Sequence, residues 1–166
     1  MKRQLDTFKF RDITHVFTDF DGVLTANTVY VDDTGCEMVR CSRADGIGIQ
    51  LLQAADIEVI ILSSEENEVV ERRAAKLDVQ AITGLRYGHQ KADEIRRICD
   101  PKKAVFIGND VNDIEALACV GFPVSVADAH LDVLRLVSRE TAAKGGEGAF
   151  RELAEYLLEM RESEDE

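Results

Sequence analysis

The stretch Ile13-Thr14-His15-Val16-Phe17-Thr18-Asp19-Phe20-Asp21-Gly22-Val23-Leu24-Thr25 decides the fold. Its apolar run, Ile13 to Thr18, reads as a buried strand. The run ends in two carboxylates, Asp19 and Asp21, which point to the same side of an extended chain, and Gly22 lets the chain turn there. Outward from this point, Val59 to Leu62, Val79 to Ile82, Ala104 to Ile107 and Phe122 to Ser125 also read as strands. Each is followed by a helix-period segment, such as Ile47, Leu51 and Ala55, or Val70, Ala74 and Leu77. Repeated βα units predict an α/β fold, a Rossmann-like doubly wound parallel sheet. One segment breaks the rhythm. Residues 28–41 hold Val29, Tyr30 and Val31, a polar Asp32-Asp33-Thr34-Gly35 turn, then Met38 and Val39, which predicts a β-hairpin inserted after the first strand.

The 166 residues carry 32 Asp plus Glu against 20 Lys plus Arg, a formal charge of −12, and 45% are hydrophobic. That composition supports one folded domain, expected over residues 1–160, with a frayed polar tail over 161–166. An acidic surface without a basic patch repels phosphate backbones and anionic lipid, so no nucleic-acid or membrane partner is expected. Met1 to Phe10 lacks an apolar signal region and no run reaches spanning length, which predicts a cytoplasmic protein. Cys36, Cys41, Cys99 and Cys119 show no C-x-x-C spacing and are expected as reduced thiols. His15, His89 and His130 have no triad spacing and read as structural.

In open parallel sheets the ligand sits beyond the carboxyl ends of the strands. Crowded carboxylates at Asp19 and Asp21 favour a divalent cation and can hold one group protonated near neutral pH, although a bare D-x-D also fits a turn with a capping aspartate. Ser63-Ser64-Glu65 offers a hydroxyl and free helix amides to a phosphoryl oxygen, or an ordinary N-cap. Lys91 can neutralise a phosphate or stand as a solvated charge. Gly108-Asn109-Asp110-Val111-Asn112-Asp113 gathers a second acidic cluster, with Asp110 and Asp113 on one face. Oxygen ligands without His or Cys point to Mg²⁺ rather than zinc.

Taken in order, Asp19-Phe20-Asp21-Gly22-Val23-Leu24-Thr25, Ser63, Lys91 and Gly108 to Asp113 resemble the four motifs of the haloacid-dehalogenase superfamily of phosphohydrolases. The hairpin, Arg43-Ala44-Asp45-Gly46-Ile47-Gly48-Ile49 and the glycine-rich Gly145 to Glu152 resemble its capless branch, which includes 3-deoxy-manno-octulosonate 8-phosphate phosphatase and the phosphatase-like domain of acylneuraminate cytidylyltransferases. The likeness covers roughly Ile13 to Leu158.

The resemblance implies catalytic roles for Asp19 as nucleophile, Asp21 as acid and base, and Ser63 and Lys91 as charge-balancing groups. It implies Mg²⁺ held by the Asp19 carboxylate, the Asp21 carbonyl and the fourth motif. There Asn109 replaces the usual aspartate, leaving Asp110 or Asp113 to supply charge. Gly22, Arg43, Ser64, Glu65 and Lys76 are the expected substrate contacts. The branch's octulosonate members usually carry arginine where Glu65 stands, and glutamate resembles the relatives acting on nine-carbon acids, so a nonulosonate 9-phosphate is the favoured substrate. A homotetramer is implied, with Gly145 to Glu152 expected to reach a neighbouring subunit's site. Two rivals remain: a non-catalytic oligomerisation domain linked to an acylneuraminate cytidylyltransferase, and a signalling receiver domain. The receiver needs an aspartate after the third strand, where Thr83-Gly84-Leu85 has none.

Overall fold

The computed structural model describes residues 8–165. In chain order the strands are β1 (His15–Thr18), β2 (Tyr30–Val31), β3 (Glu37–Met38), β4 (Glu58–Leu62), β5 (Gln80–Ile82), β6 (Ala104–Gly108), β7 (Phe122–Ser125) and β8 (Arg139–Glu140). The helices are α1 (Arg43–Ala54), α2 (Glu68–Leu77), α3 (Gly88–Ile98), α4 (Ile114–Cys119), α5 (Leu131–Leu134) and α6 (Ala149–Asp165). Six strands form one parallel sheet in the order β5-β4-β1-β6-β7-β8. β1 lies between β4 and β6, with Thr18 level with both Ile61 and Ile107.

The apolar runs are nearly continuous because both faces of the sheet are covered. Alternate residues take opposite sides. Val16, Val59, Ile61, Val105 and Ile107 join Ile49 and Leu52 of α1 and Phe150, Leu153 and Leu157 of α6 in one core layer. Phe17, Ile60, Leu62 and Phe106 join Ile95 of α3, Leu117 of α4 and Val133 of α5 in the other. The order places the end of β1, where Asp19 begins, at the middle of the sheet's carboxyl edge.

The predicted hairpin is β2 paired antiparallel with β3, closed at its base by a Thr25–Cys41 bridge. Its turn is held by the Asp32 carboxylate, which accepts from the Thr34 and Cys36 amides at 2.9 Å each. Val29, Tyr30, Val31 and Met38 are exposed on it, Tyr30 by 63%. None of the four cysteines is in a disulfide.

One expectation is corrected. Residues 161–166 do not form a frayed tail as far as the description reaches, because α6 continues to Asp165. The Glu164 carboxylate accepts from the Phe10 and Arg11 amides at 3.1 and 3.0 Å, and the Arg161 guanidinium donates to the Ala55 carbonyl at 2.8 Å. The two-residue β8 and one-turn α5 escaped the sequence reading because neither is long enough to show a period. The Ser42 hydroxyl caps α1, accepting from the Ala44 amide at 3.2 Å.

Asp45 is instead buried at the junction of α1 and α6. Its Oδ1 accepts from the Arg151 amide at 3.1 Å, capping α6 from another helix, while Oδ2 has no hydrogen-bond partner. The two helices meet closely there, and a Cβ on Gly48 would lie 2.8 Å from the Arg151 Cα. Burial pushes the Asp45 carboxyl up to about 6, against the helix amides that favour its charged form. The folded-state value lies above the ordinary 3.8, so the folded chain holds the extra proton. This contribution to stability is fully present below about pH 4 and is lost as pH rises through about 6. Asp45→Asn keeps the shape and removes the titration. Its melting temperature relative to wild type should shift in the variant's favour by about 5 °C between pH 4 and pH 7. Parallel curves of melting temperature against pH would reject a buried, titrating Asp45.

Candidate active site

Three strand ends and one helix build the site. Asp19 follows β1 directly and is 3% exposed. Its Oδ1 accepts from the Phe20 amide at 2.7 Å, and its Oδ2 lies 3.0 Å from the Lys91 ammonium. Lys91 enters from the first turn of α3, which starts there because Tyr87 and Gln90 form a capping box, the Gln90 side chain accepting from the Tyr87 amide at 2.9 Å. The lysine is fully buried and lies 2.7 Å from Asp113 Oδ1. The other Asp113 oxygen accepts from the Asn109 and Asp110 amides at 2.9 and 3.3 Å. Gly108 precedes that turn because a Cβ there would lie 2.6 Å from Asp113 Oδ2.

One ammonium thus serves two buried carboxylates. Burial first, then the Asp113 charge, pushes the Asp19 carboxyl well above the usual carboxylate range despite Lys91. Burial acts to lower Lys91, but Asp19 and Asp113 outweigh it and the ammonium is held above its ordinary value. Asp21, partly exposed beside them, is also raised, by burial and then by the charge of Glu65.

These groups border a cavity of about 130 Å³ lined by Asp19, Asp21, Ser64, Glu65, Asn109 and Asp110, with Asn27 and Asn112 completing the wall. The surplus of carboxylates over the single ammonium invites a cation. Asn109 Oδ1 is buried without a hydrogen-bond partner, and no three His, Cys, Asp or Glu side chains cluster in metal-binding fashion among the described residues. A cation held here could draw on Asp19, the Asn109 oxygen and main-chain oxygen, with water completing its shell. That oxygen-only, sparsely charged set suits Mg²⁺, which keeps several waters.

Asp19, Asp21, Ser64, Glu65, Asn109 and Asp110 line one cavity, with Gly22 turning the chain beside them at φ +80°. The Gly22 turn packs against Asn109, whose side-chain amide occupies the space a Cβ would take. Both Asp113 oxygens are engaged, one by Lys91 and the other by the Asn109 and Asp110 amides, so Asp113 braces Lys91 and the Asn109 turn. Ser63 is buried, and its hydroxyl accepts from the Glu65 amide at 3.1 Å, so it caps the turn after β4 while Ser64 faces the cavity. Arg43 and Lys76 do not reach the cavity. They lie with Gln50 and Arg73 on a separate concavity formed by α1 and α2.

Asn112 and Asn27 were missed. Asn112 donates to the Ser64 hydroxyl at 3.1 Å, tying the fourth motif to the second, and its place three residues after Asn109 was the available signal.

Gly145 to Gly148 straps its own chain's catalytic turn, so this loop is not a free arm. The Gly145 amide donates to Asp128 Oδ1 at 3.0 Å and the Gly146 amide to the Val23 carbonyl at 2.9 Å. A Cβ on Gly145 would overlap the Gly22 carbonyl oxygen. Glycine is required here because backbone meets backbone.

No family model matches the chain. The 3-deoxy-D-manno-octulosonate 8-phosphate phosphatase of Haemophilus influenzae is 32% identical over 164 residues, covering 97% of this chain and 88% of that protein. This chain belongs to the haloacid-dehalogenase superfamily. A solved, cobalt-bound structure of the Haemophilus phosphatase matches this fold with TM-score 0.85 over 92% of this chain and 91% of that one. The corresponding phosphatase of Moraxella catarrhalis, solved with magnesium, phosphate and a KDO molecule, matches with TM-score 0.86 at 25% identity over 94% of this chain and 91% of that one. The N-acylneuraminate cytidylyltransferase B of Danio rerio is 32% identical over 84% of this chain but only 34% of that protein. As a haloacid-dehalogenase protein with Asp19, Asp21, Lys91 and the Gly108 turn in place, the chain is a hydrolase of phosphomonoesters.

Gly145→Ala should push the strap off the Gly22 carbonyl and misplace Asp21. Turnover of any phosphate ester should fall between ~10- and ~100-fold with helical content retained. Turnover within twofold of wild type would show that the strap does not hold the catalytic turn.

Proposed function

We propose that the chain is a Mg²⁺-dependent phosphatase of a 3-deoxy-ulosonic acid phosphate, and that a nonulosonate 9-phosphate is preferred to octulosonate 8-phosphate. The observation that carries the reading is the buried Asp19–Lys91–Asp113 arrangement, with Asp21 standing at the rim of the same cavity.

Asp19 attacks the phosphorus atom, forming an acyl phosphate while the bond to the sugar oxygen breaks. Asp21 gives its proton to the departing alkoxide, which is why a raised carboxyl is useful there. It then takes a proton from the water that attacks phosphorus and restores Asp19. Asp19 and Asn109 would hold Mg²⁺, which when bound would supply positive charge favouring the ionised nucleophile and offsetting the charge on the phosphoryl group. Lys91 and the amides after β4 share that neutralisation, and Lys91 fixes which Asp19 oxygen faces inward.

Glu65 supports the nine-carbon preference because it lines both the phosphoryl cavity and the recess beside it. A carboxylate in that position accepts hydrogen bonds from sugar hydroxyls and opposes a nearby substrate carboxylate. The exposed Val29, Tyr30, Val31 and Met38 of the hairpin support assembly into a homotetramer. Arg43 and Lys76, remote from their own cavity, would meet substrate only across such an assembly. A purely structural oligomerisation role is disfavoured by the complete ion triad, which such a role does not need.

The deciding experiment is phosphate release with Mg²⁺ from nonulosonate 9-phosphate, octulosonate 8-phosphate and a generic aryl phosphate. Asp19→Asn should lower turnover by at least ~10³-fold on every substrate that is hydrolysed. More than a tenth of wild-type turnover in that variant would overturn the phosphoaspartate mechanism. Absence of wild-type activity on all three would favour the structural role.

Asn109→Asp should lower the Mg²⁺ concentration for half-maximal activity by ~10-fold, because a charged oxygen replaces a neutral one. An unchanged Mg²⁺ titration would move the ligand role to Asp110 or Asp113.

A further inference from the structure

We propose that Asp45 and Glu152 are positioning residues for phosphoryl transfer: neither lines the catalytic cavity, yet together they hold the first turn of α6 so that the glycine strap keeps the Asp21 turn in place. The inference needs only the phosphomonoesterase activity and is independent of which sugar acid is processed.

The turn that carries Asp21 is held loosely by its own side chains. The Thr25 hydroxyl reaches the Asp21 carboxylate at 3.4 Å and accepts from the Gly22 amide at 3.3 Å, both long for hydrogen bonds. The strap supplies the firmer contacts. Gly145 lies against the Gly22 carbonyl, a Cβ on Gly146 would overlap the Ala26 amide nitrogen, and the Gly146 amide donates to the Val23 carbonyl at 2.9 Å.

A strap presses on a turn only if its own ends are fixed. Upstream, the Ala143 carbonyl accepts from the Thr141 hydroxyl at 2.7 Å, and the Gly145 amide is held by Asp128. Downstream the strap runs into α6, whose free amides need acceptors. Gly148, the residue before α6, has no side chain to offer. The acceptor comes instead from α1, as Asp45 Oδ1 takes the Arg151 amide at 3.1 Å. In the same turn Glu152 reaches back, its carboxylate accepting from the Ala142 and Ala143 amides at 2.9 Å each. The two carboxylates thus close the strap onto α6 and α6 onto α1. Asp45 buries an unpartnered Oδ2 to do so, an unfavourable arrangement that a local serine cap at residue 148 would avoid. What the local cap would lack is the tie between the strap and a second helix.

The test measures hydrolysis of a generic aryl phosphate with Mg²⁺ in Asp45→Ala, Asp45→Asn, Glu152→Ala and Arg161→Ala. The last variant removes the bond to the Ala55 carbonyl at the far end of α6 and controls for general loosening of that helix. Asp45→Ala and Glu152→Ala should each lower kcat by ~10-fold with KM within twofold of wild type, the signature of a misplaced acid. Asp45→Asn keeps the acceptor and should stay within twofold of wild type, as should Arg161→Ala. Gly145→Ala already displaces the strap, so adding Asp45→Ala to it should cost no more than ~3-fold further, whereas independent effects would multiply.

Amide hydrogen exchange gives a readout that needs no turnover: Gly146 should exchange ~10-fold faster in Asp45→Ala and Glu152→Ala and at the wild-type rate in Arg161→Ala. Glu152→Ala, on the exposed side of the turn, decides the question if Asp45→Ala does not fold. Wild-type kcat or wild-type Gly146 exchange in either folded variant would overturn the proposal. An equal loss in Arg161→Ala, or fully multiplied losses in the double variant, would also overturn it by reducing the effect to ordinary destabilisation.

Discussion

The Lys91 ammonium, shared between Asp19 and Asp113 with no solvent around it, is the constraint on which the rest of the site depends. It joins α3 to the end of β1 and to the turn after β6, so the three segments that supply charge are fixed to each other. Burying such ions carries a desolvation penalty, and removing one partner of a buried pair typically destabilises a protein by about 3–5 kcal/mol. An apolar replacement would satisfy folding alone. What the ions provide is a field: two carboxylates against one ammonium leave a negative surplus beside an unpartnered Asn109 oxygen. A divalent cation held there would complete that arrangement, adding its positive charge to that of Lys91.

Around this centre the catalytic turn is held by close backbone approach. Gly22 gives way to the Asn109 side chain on one side, and its carbonyl is covered by Gly145 on the other. The strap is tied to Asp128 and to the Val23 carbonyl, and it leads directly into α6. Asp45 of α1 caps that helix. The C-terminal helix thus does more than close the core: its entry loop presses the turn carrying Asp21 into place, linking packing between α1 and α6 to the geometry of the acid.

The capless fold leaves the carboxyl edge of the sheet open, and the hairpin after β1 stands over it. Val29 and Val39 from the hairpin and Val69 and Val70 from α2 bound the recess that continues from the phosphoryl cavity. The two spaces adjoin, with Asp21, Asn27 and Glu65 common to both. An insertion that interrupts the βα rhythm of the sequence is the element that shapes the second space.

The sequence by itself determined the alternating strands and helices, the hairpin, and the carboxylates at the ends of β1 and β6. Apolar period and turn residues are local signals, and catalytic groups follow strand ends in a parallel sheet. It also singled out Lys91 and Glu65, although spacing alone left Lys91 undecided between a surface charge and a buried one. Only the tertiary structure decided that Lys91 bridges Asp19 and Asp113, that Asp113 is a brace, and that Ser64 rather than Ser63 faces the cavity. It alone decided that Asn112 secures that serine, that Arg43 and Lys76 lie elsewhere, and that Asp45 caps a helix more than a hundred residues away. Residues 161–165 look solvated by composition, yet they remain helical where Glu164 meets the Phe10 and Arg11 amides. The physical reason is common to all of these. Periodicity reports which face of an element is apolar, whereas the partner of a polar atom is set by which distant segments the packed core brings within hydrogen-bonding reach.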